Sequence, residues 1–162
     1  MTEKIQMKPI GIIHSPYKDP SDVPIQGRFR EEIQAKIEIY PPYEKGLLDL
    51  DGFSHAYLLF HIHRSEKEHL QSSPYLENTV HGIFAIRSPH RPNHIGLSII
   101  KIDSIKNNII TFKGVDMIDG TPVLDIKPYV SYFDARSDTQ SGWLEKHFKN
   151  GTIPKQAVHK NR

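Results

Sequence analysis

Cysteine is absent from this chain, which excludes disulfide staples and thiolate metal sites and is compatible with a reducing compartment. No apolar run approaches the length of a membrane-spanning helix. Behind Met1-Thr2-Glu3-Lys4 there is no signal-peptide core, because Lys8 and Pro9 break the run; a soluble cytoplasmic protein is the expectation. The ten glycines never occur at G-x-G spacing, and no G-x-x-x-x-G-K is present. The usual phosphate-cradling loop and the Rossmann dinucleotide fingerprint are therefore both missing. Excess charge is scarce too. A formal net charge of +2 suits an RNA-modifying enzyme that meets its partner locally, but it suits ordinary enzymes equally.

The 162 residues are enough for one domain with its own core. Apolar residues come mostly in short blocks of period-two character, bounded by glycine, proline, asparagine or aspartate. Strands are expected over residues 9–14, 35–39, 53–63, 80–87, 95–105, 109–115 and 123–130. The block 53–63 is nearly continuous, which predicts a central strand buried on both faces. Asn107-Asn108 has the spacing and residue type of a hairpin turn. Helix signals are few: a short turn over 44–50, and 141–149, where Ser141 can cap and Trp143, Leu144 and Phe148 share a face. Residues 17–32 and 64–79 read as loops. The fold class is all-β, a small single-domain β-barrel or sandwich with one or two short helices. The domain spans 1–150, and 151–162 form a basic tail carrying Lys155, Lys160 and Arg162 with little to bury.

Two segments concentrate the polar chemistry. Residues 84–98 read Phe-Ala-Ile-Arg-Ser-Pro-His-Arg-Pro-Asn-His-Ile-Gly-Leu-Ser, and 119–129 read Asp-Gly-Thr-Pro-Val-Leu-Asp-Ile-Lys-Pro-Tyr. Arginine, histidine, aspartate and lysine held on stiff turns at strand ends are pre-ordered for binding. Arg87 emerges where the 80–87 strand ends, and its fork of donors suits a carboxylate or phosphate; structural pairing with Asp116, Asp119 or Asp125 is the alternative. Asp119-Gly120 is a turn dipeptide. Asp125 and Lys127 share one strand face and can pair with each other. Tyr17, Tyr43, Tyr57 and Phe60 can stack on a base or fill the core. His61 and His63, two apart on one strand face, with Glu68 and His90 elsewhere, loosely resemble part of a cupin metal site. A hydrogen-bonded, metal-free strand end is the competing reading.

Taken together, five blocks resemble the TrmO family, also called TsaA-like or VirR-like. They are Ile10-Gly11-Ile12-Ile13-His14-Ser15-Pro16-Tyr17, the run from Phe53-Ser54-His55 to His63, the run from Gly82 to Ser98, Gly114-Val115-Asp116, and the run from Asp119 to Tyr129. The resemblance implies an S-adenosylmethionine-dependent tRNA methyltransferase. It would act on N6 of threonylcarbamoyladenosine beside the anticodon (position 37) of threonine tRNA. A non-Rossmann β-barrel and a homodimer are implied with it. By matched position the methyl-donor pocket would include Gly27, Arg28, Phe29, His63, Arg64, Arg87, Leu97, Gly114, Val115 and Asp116. No metal is implied.

Methyl transfer from a sulfonium is an in-line displacement, so positioning supplies much of the catalysis. Arg87 or Arg28 would take the donor's carboxylate, and Leu97 with Val115 its adenine. The acceptor nitrogen has a delocalised lone pair and needs a base or a charge-stabilising site; Asp116, Asp125, His90 and Tyr129 are the candidates. Arg91, Asn93 and Lys127 would face the substrate, with Arg91 or Lys127 on its threonyl carboxylate. The tail and the loop around Arg64 and Lys67 are candidates to meet the tRNA backbone; a merely solvated surface is the equal alternative. Ile86 and His94 depart from the family pattern, where threonine and a small residue or proline are usual. The chain is expected to match the short form, without an added carboxy-terminal domain. A metal-dependent cupin-like enzyme and a non-catalytic barrel binding S-adenosylmethionine or RNA stand as alternatives.

Overall fold

Alternation at period two places one set of side chains inside a closed sheet and the other outside. In the computed structural model, which describes residues 3–148, eight strands form. They are β1 (Gly11–His14), β2 (Gln34–Ile39), β3 (His55–His61), β4 (Gln71–Ser72), β5 (His81–Gly82), β6 (Ile95–Lys106), β7 (Ile109–Lys113) and β8 (Pro122–Pro128). Six close into an antiparallel barrel in the order β1-β2-β7-β6-β3-β8, while β4 and β5 make a separate two-residue ladder. The barrel closes where Gly11 meets Val123 and Ile12 meets Pro122. Ile13, Ile37, Leu58, Ile100, Ile110, Phe112 and Val123 point inward and are fully buried. Each such side chain contributes about 1.5–3 kcal/mol by leaving water.

Register decides where the loops emerge. His14 lies beside Lys36, Gln34 beside Lys113, and His61 beside Ile95. Three connections, residues 15–33, 62–94 and 114–121, therefore leave by the same rim. The other rim carries the Asn107-Asn108 turn, with Asn107 in the left-handed region at φ 53°, and the chain beyond Pro128.

The barrel agrees with the expected fold class, with differences in several of its elements. Strand β3 is shorter than expected, and only its inner face is fully buried, the outer face being half-buried. Residues 80–87 do not form a barrel strand. Only His81–Gly82 pair, and a 3₁₀ turn follows over Ile83–Ala85. Ile83 and Ile86 are both buried, a spacing of three that suits a turn and overrides the β-propensity of the run. The expected turn over 44–50 is a 3₁₀ helix at Pro41–Leu47, and the expected carboxy-terminal helix is a 3₁₀ helix at Gly142–His147 without a Ser141 side-chain cap. A four-residue helix, α1 (Ser131–Asp134), also forms. The expected basic tail and Lys149 lie outside the described residues. Among the described residues no helix is long and apolar enough to cross a membrane.

Candidate active site at the barrel rim

The segment 114–121 is fastened to β1 before it reaches the site. Ile13 donates to the Thr121 carbonyl at 2.9 Å, and Gly120 donates to that of Ile13 at 2.8 Å. Asp119 accepts from the Ser15 N–H at 2.9 Å and pairs with Lys18 at 2.7 Å. Asp119 is thus a turn-former, and its carboxyl is held below the usual range by Lys18 and the Ser15 N–H.

This anchoring presents Asp116. Its Oδ1 accepts from the Ser98 hydroxyl at 2.5 Å and its Oδ2 from the Gly27 N–H at 3.2 Å. Gly27 comes from the first long loop and Ser98 from the inward face of β6. Loss of hydration pushes the Asp116 carboxyl up to about 6, against the opposing pull of Ser98, Gly27 and the Arg87 charge. Asp116 keeps a solvent-accessible edge, but surrounding protein, rather than that edge, governs its titration. Among the described residues no cation forms an ion pair with it.

Arg87 comes from the second long loop. It is exposed, and its Nη1 donates to Gln26 Oε1 at 2.9 Å. Gln26 immediately precedes Gly27, so all three rim loops meet around Gln26, Gly27, Arg87 and Asp116. The carbonyl just before Arg87, that of Ile86, accepts from Arg91 Nη1 at 3.0 Å, which stiffens the turn. Ile86 itself is buried, as a larger apolar substitute for threonine can be without entering the site. At Gly27 a Cβ would overlap the Gly114 carbonyl and crowd the Val115 nitrogen, and Gly114 sits at φ 87°. Gly27→Ala is therefore expected to cost about 1–3 kcal/mol of stability through forced backbone movement and to separate Gly27 from Asp116. An unchanged thermal midpoint together with unchanged donor affinity would contradict this close fit.

The other expected site residues are distributed unevenly. Arg28 is exposed beside Gly27, and Phe29 stacks on Phe148 at 6.4 Å. His63 lies two residues past the end of β3. Burial, then the charges of Arg64 and His61, hold its imidazole below the ordinary range, and its buried Nδ1 has no hydrogen-bond partner among the described residues. Arg64 donates to the Lys18 carbonyl at 2.9 Å, linking the first two rim loops. Leu97 points outward and is 58% exposed, whereas Val115 is fully buried in the core. The two side chains therefore do not form one adenine slot; Val115 can offer only backbone there. His90 shares a hydrogen bond with Ser65 Oγ at 2.8 Å, and its imidazole is lowered by burial and by His69, Lys67 and His94. Asn93 and His94 both have positive φ, so the loop keeps a tight turn despite His94.

Asp125, Lys127 and Tyr129 lie on or just beyond β8. Asp125 faces Leu59, Lys127 faces Tyr57, and the Tyr129 N–H reaches the His55 carbonyl at 3.0 Å. Lys127 pairs with Asp125 at 3.0 Å as expected. Tyr129 leans on Tyr57 with ring centroids 5.6 Å apart. These residues progress toward the opposite rim, so one chain does not gather Tyr129 and Lys127 with Asp116. Tyr17 and Phe60 fill the core. His61 packs edge-on against His94. Among the described residues no three His, Asp or Glu side chains could hold a metal, so His61, His63 and Glu68 are not assembled as a cupin-like site requires. Gln26 and Ser98 were not singled out by sequence; a serine within the mostly apolar stretch 95–100 is the one clue to the latter.

The residues at this rim suit a zwitterionic sulfonium ligand: a half-buried carboxylate forms no ion pair among the described residues, and a guanidinium edge lies nearby. Comparison with known proteins agrees with the fold. A probable S-adenosyl-L-methionine-binding protein of Pyrococcus abyssi is 48% identical over 140 residues, covering 86% of this chain and 76% of that one. The mouse tRNA (adenine(37)-N6)-methyltransferase is 36% identical over 135 residues, 79% of this chain but 31% of its own length. The crystal structure of TrmO from Pseudomonas aeruginosa superposes with a TM-score of 0.75 at 34% identity, and this chain spans 62% of its length. Residues 12–135 match the model of the tRNA-methyltransferase O N-terminal domain, and this chain belongs to that family.

Proposed function

We propose that the chain transfers a methyl group from S-adenosylmethionine to N6 of threonylcarbamoyladenosine beside the anticodon of threonine tRNA. The carrying observation is the meeting of Arg87 and Asp116 across Gln26–Gly27, from three separate rim loops. S-adenosylmethionine supplies an electrophilic methyl on a sulfonium; the carbon–sulfur bond breaks as the carbon–nitrogen bond forms, and a thioether leaves. Arg87 takes the donor's carboxylate through its fork of donors. Asp116 takes the N6 proton, since a carboxylate titrating near 6 is ionised at neutral pH yet still basic. Arg91, on the same loop, is better placed than Lys127 to meet the threonyl carboxylate, because Lys127 is paired with Asp125.

Homodimerisation accompanies this reading. Leu97 and Ile99 are 58% and 52% exposed on the outer wall of β6, apolar surface that a second copy would cover. A tRNA substrate goes with a cytoplasmic location. The second reading, a barrel that binds S-adenosylmethionine without catalysis, is favoured only by the names of relatives such as the Pyrococcus protein.

The deciding experiment is methylation of threonine tRNA with and without the threonylcarbamoyl group. Methyl incorporation is expected only into the modified tRNA. Donor binding without incorporation would leave the non-catalytic reading standing. Incorporation into both tRNAs alike would remove the modified base as the determinant.

A further inference from the structure

Past the barrel the chain turns back over the site rim. The Gly142–His147 turn docks on the two loops that carry the candidate donor site, and a single carboxylate receives most of its polar contacts. Glu77, with only 10% of its side chain exposed, accepts from His81 Nε2 at 2.6 Å, His147 Nε2 at 2.7 Å and Lys146 Nζ at 2.5 Å. Two of those donors belong to the returning segment and one to the second rim loop. Trp143 stacks on His81 with ring centroids 4.7 Å apart and an interplanar angle of 20°. Its indole N–H donates to the Ala85 carbonyl at 2.8 Å. Phe148 then stacks on Phe29.

These contacts land close to the site without entering it. Ala85 stands two residues before Arg87, and Phe29 two residues after Gly27. One short segment thus fastens both loops whose side chains join at the Arg87–Gln26 hydrogen bond. None of its residues belongs to the barrel's core cluster, so the barrel closes without it. We propose that Glu77 is a positioning residue: it docks the 142–148 strap onto the rim and thereby sets Arg87 and the Gly27–Phe29 turn for donor binding. The proposal rests on reading that rim as the donor site.

Glu77 suits the role because its three partners all donate toward one point. Removing the carboxylate leaves His81, Lys146 and His147 converging with no acceptor between them, and losing all three hydrogen bonds at once favours release of the strap. The same three donors hold the Glu77 carboxyl down to about 2. It is therefore ionised, and the strap held, throughout the neutral range. The sequence offered no hint of this: Glu77 lies within a loop, and its strap partners are about seventy residues away.

The chain carries its own reporter, because Trp143 is the only tryptophan in its 162 residues. Glu77→Ala is expected to shift Trp143 emission to the red and to raise the donor Kd and KM about tenfold, with kcat within about twofold, as loosened positioning should. Glu77→Asp should recover part of the affinity. If emission shifts while donor affinity stays at the wild-type value, the strap is structural only and the proposal falls. Should Glu77→Ala fail to fold, Trp143→Phe retains a ring on His81 and removes only the bond to Ala85. A donor Kd raised about threefold is expected from losing that bond, and unchanged affinity would overturn the proposal. A wild-type protein that binds no S-adenosylmethionine would instead sink the donor-site reading itself, and the positioning role with it.

Discussion

Asp116→Asn should lower the rate of methyl transfer about a hundredfold to ten-thousandfold, the usual range for loss of a general base, while the protein stays folded. The fold should persist because two effects oppose each other. Holding an ionised carboxyl whose native pKa is about 6 rather than 3.8 costs about 3 kcal/mol at neutral pH, and asparagine removes that cost. Asparagine also gives up one of the two acceptors now used by Ser98 and Gly27, a charge-assisted bond worth about 1.5–3 kcal/mol. The remainder is small. Thermal midpoints of the two proteins at pH 7.5–8 should therefore differ by only a few degrees, and circular dichroism should be unchanged. A variant retaining near-normal turnover would exclude Asp116 as the base.

The same carboxylate predicts two pH dependences of opposite sense. Its native pKa lies above its unfolded value, so its contribution to stability is fully present below about pH 4. That contribution is lost as pH rises through about 6, because the native state holds a proton that the unfolded chain has already released. Activity follows the ionised form, so kcat/KM should rise across the same interval, with an acid limb near 6. In the donor complex a nearby positive charge favours the carboxylate, so the limb for kcat should lie lower than that for kcat/KM. Asp116→Asn should abolish the stability trend over pH 4–6. Persistence of that trend in the variant would assign it to another group.

The barrel was legible in the sequence because its cause is local. Period-two alternation along Ala35, Ile37 and Ile39 is written in neighbouring residues, and closed antiparallel strands need little else. The run 80–87 misled for the same reason. Its composition is strand-like, but Ile83 and Ile86 bury at a spacing of three, and Ala85 gives its carbonyl to Trp143, a partner 58 residues away. The site was legible only in outline. Arg87 stood out on its charged turn, whereas Gly27 and the donor-pocket role of Asp116 emerged through the family resemblance, and register explains why the three share a rim. The same register separates Lys127 and Tyr129 from them, although the charged segments 84–98 and 119–129 look alike as sequence. Val115 shows the limit most clearly: placed beside Asp116 by motif, it turns its side chain into the core while its neighbour faces the site.

Arg87→Ala should weaken S-adenosylmethionine binding about a hundredfold, the effect of deleting one well-formed guanidinium–carboxylate contact, and should scarcely alter stability. Arg87 is exposed, and the one hydrogen bond its side chain makes among the described residues is to Gln26; exposed polar truncations of this kind usually cost less than about 0.5 kcal/mol. Arg87→Lys keeps the charge but loses the fork, so its donor affinity should fall between the two. A second readout ties Arg87 to Asp116. The guanidinium charge favours the ionised carboxylate, so its removal should move the acid limb of kcat/KM to higher pH, while Arg87→Lys should leave that limb nearer its wild-type position. Calorimetric titration with the donor and a pH–rate profile of each variant separate the two effects. Near-normal donor affinity in Arg87→Ala would take this residue out of the site. Weak affinity with an unmoved acid limb would keep Arg87 on the donor and show that its charge does not act on Asp116.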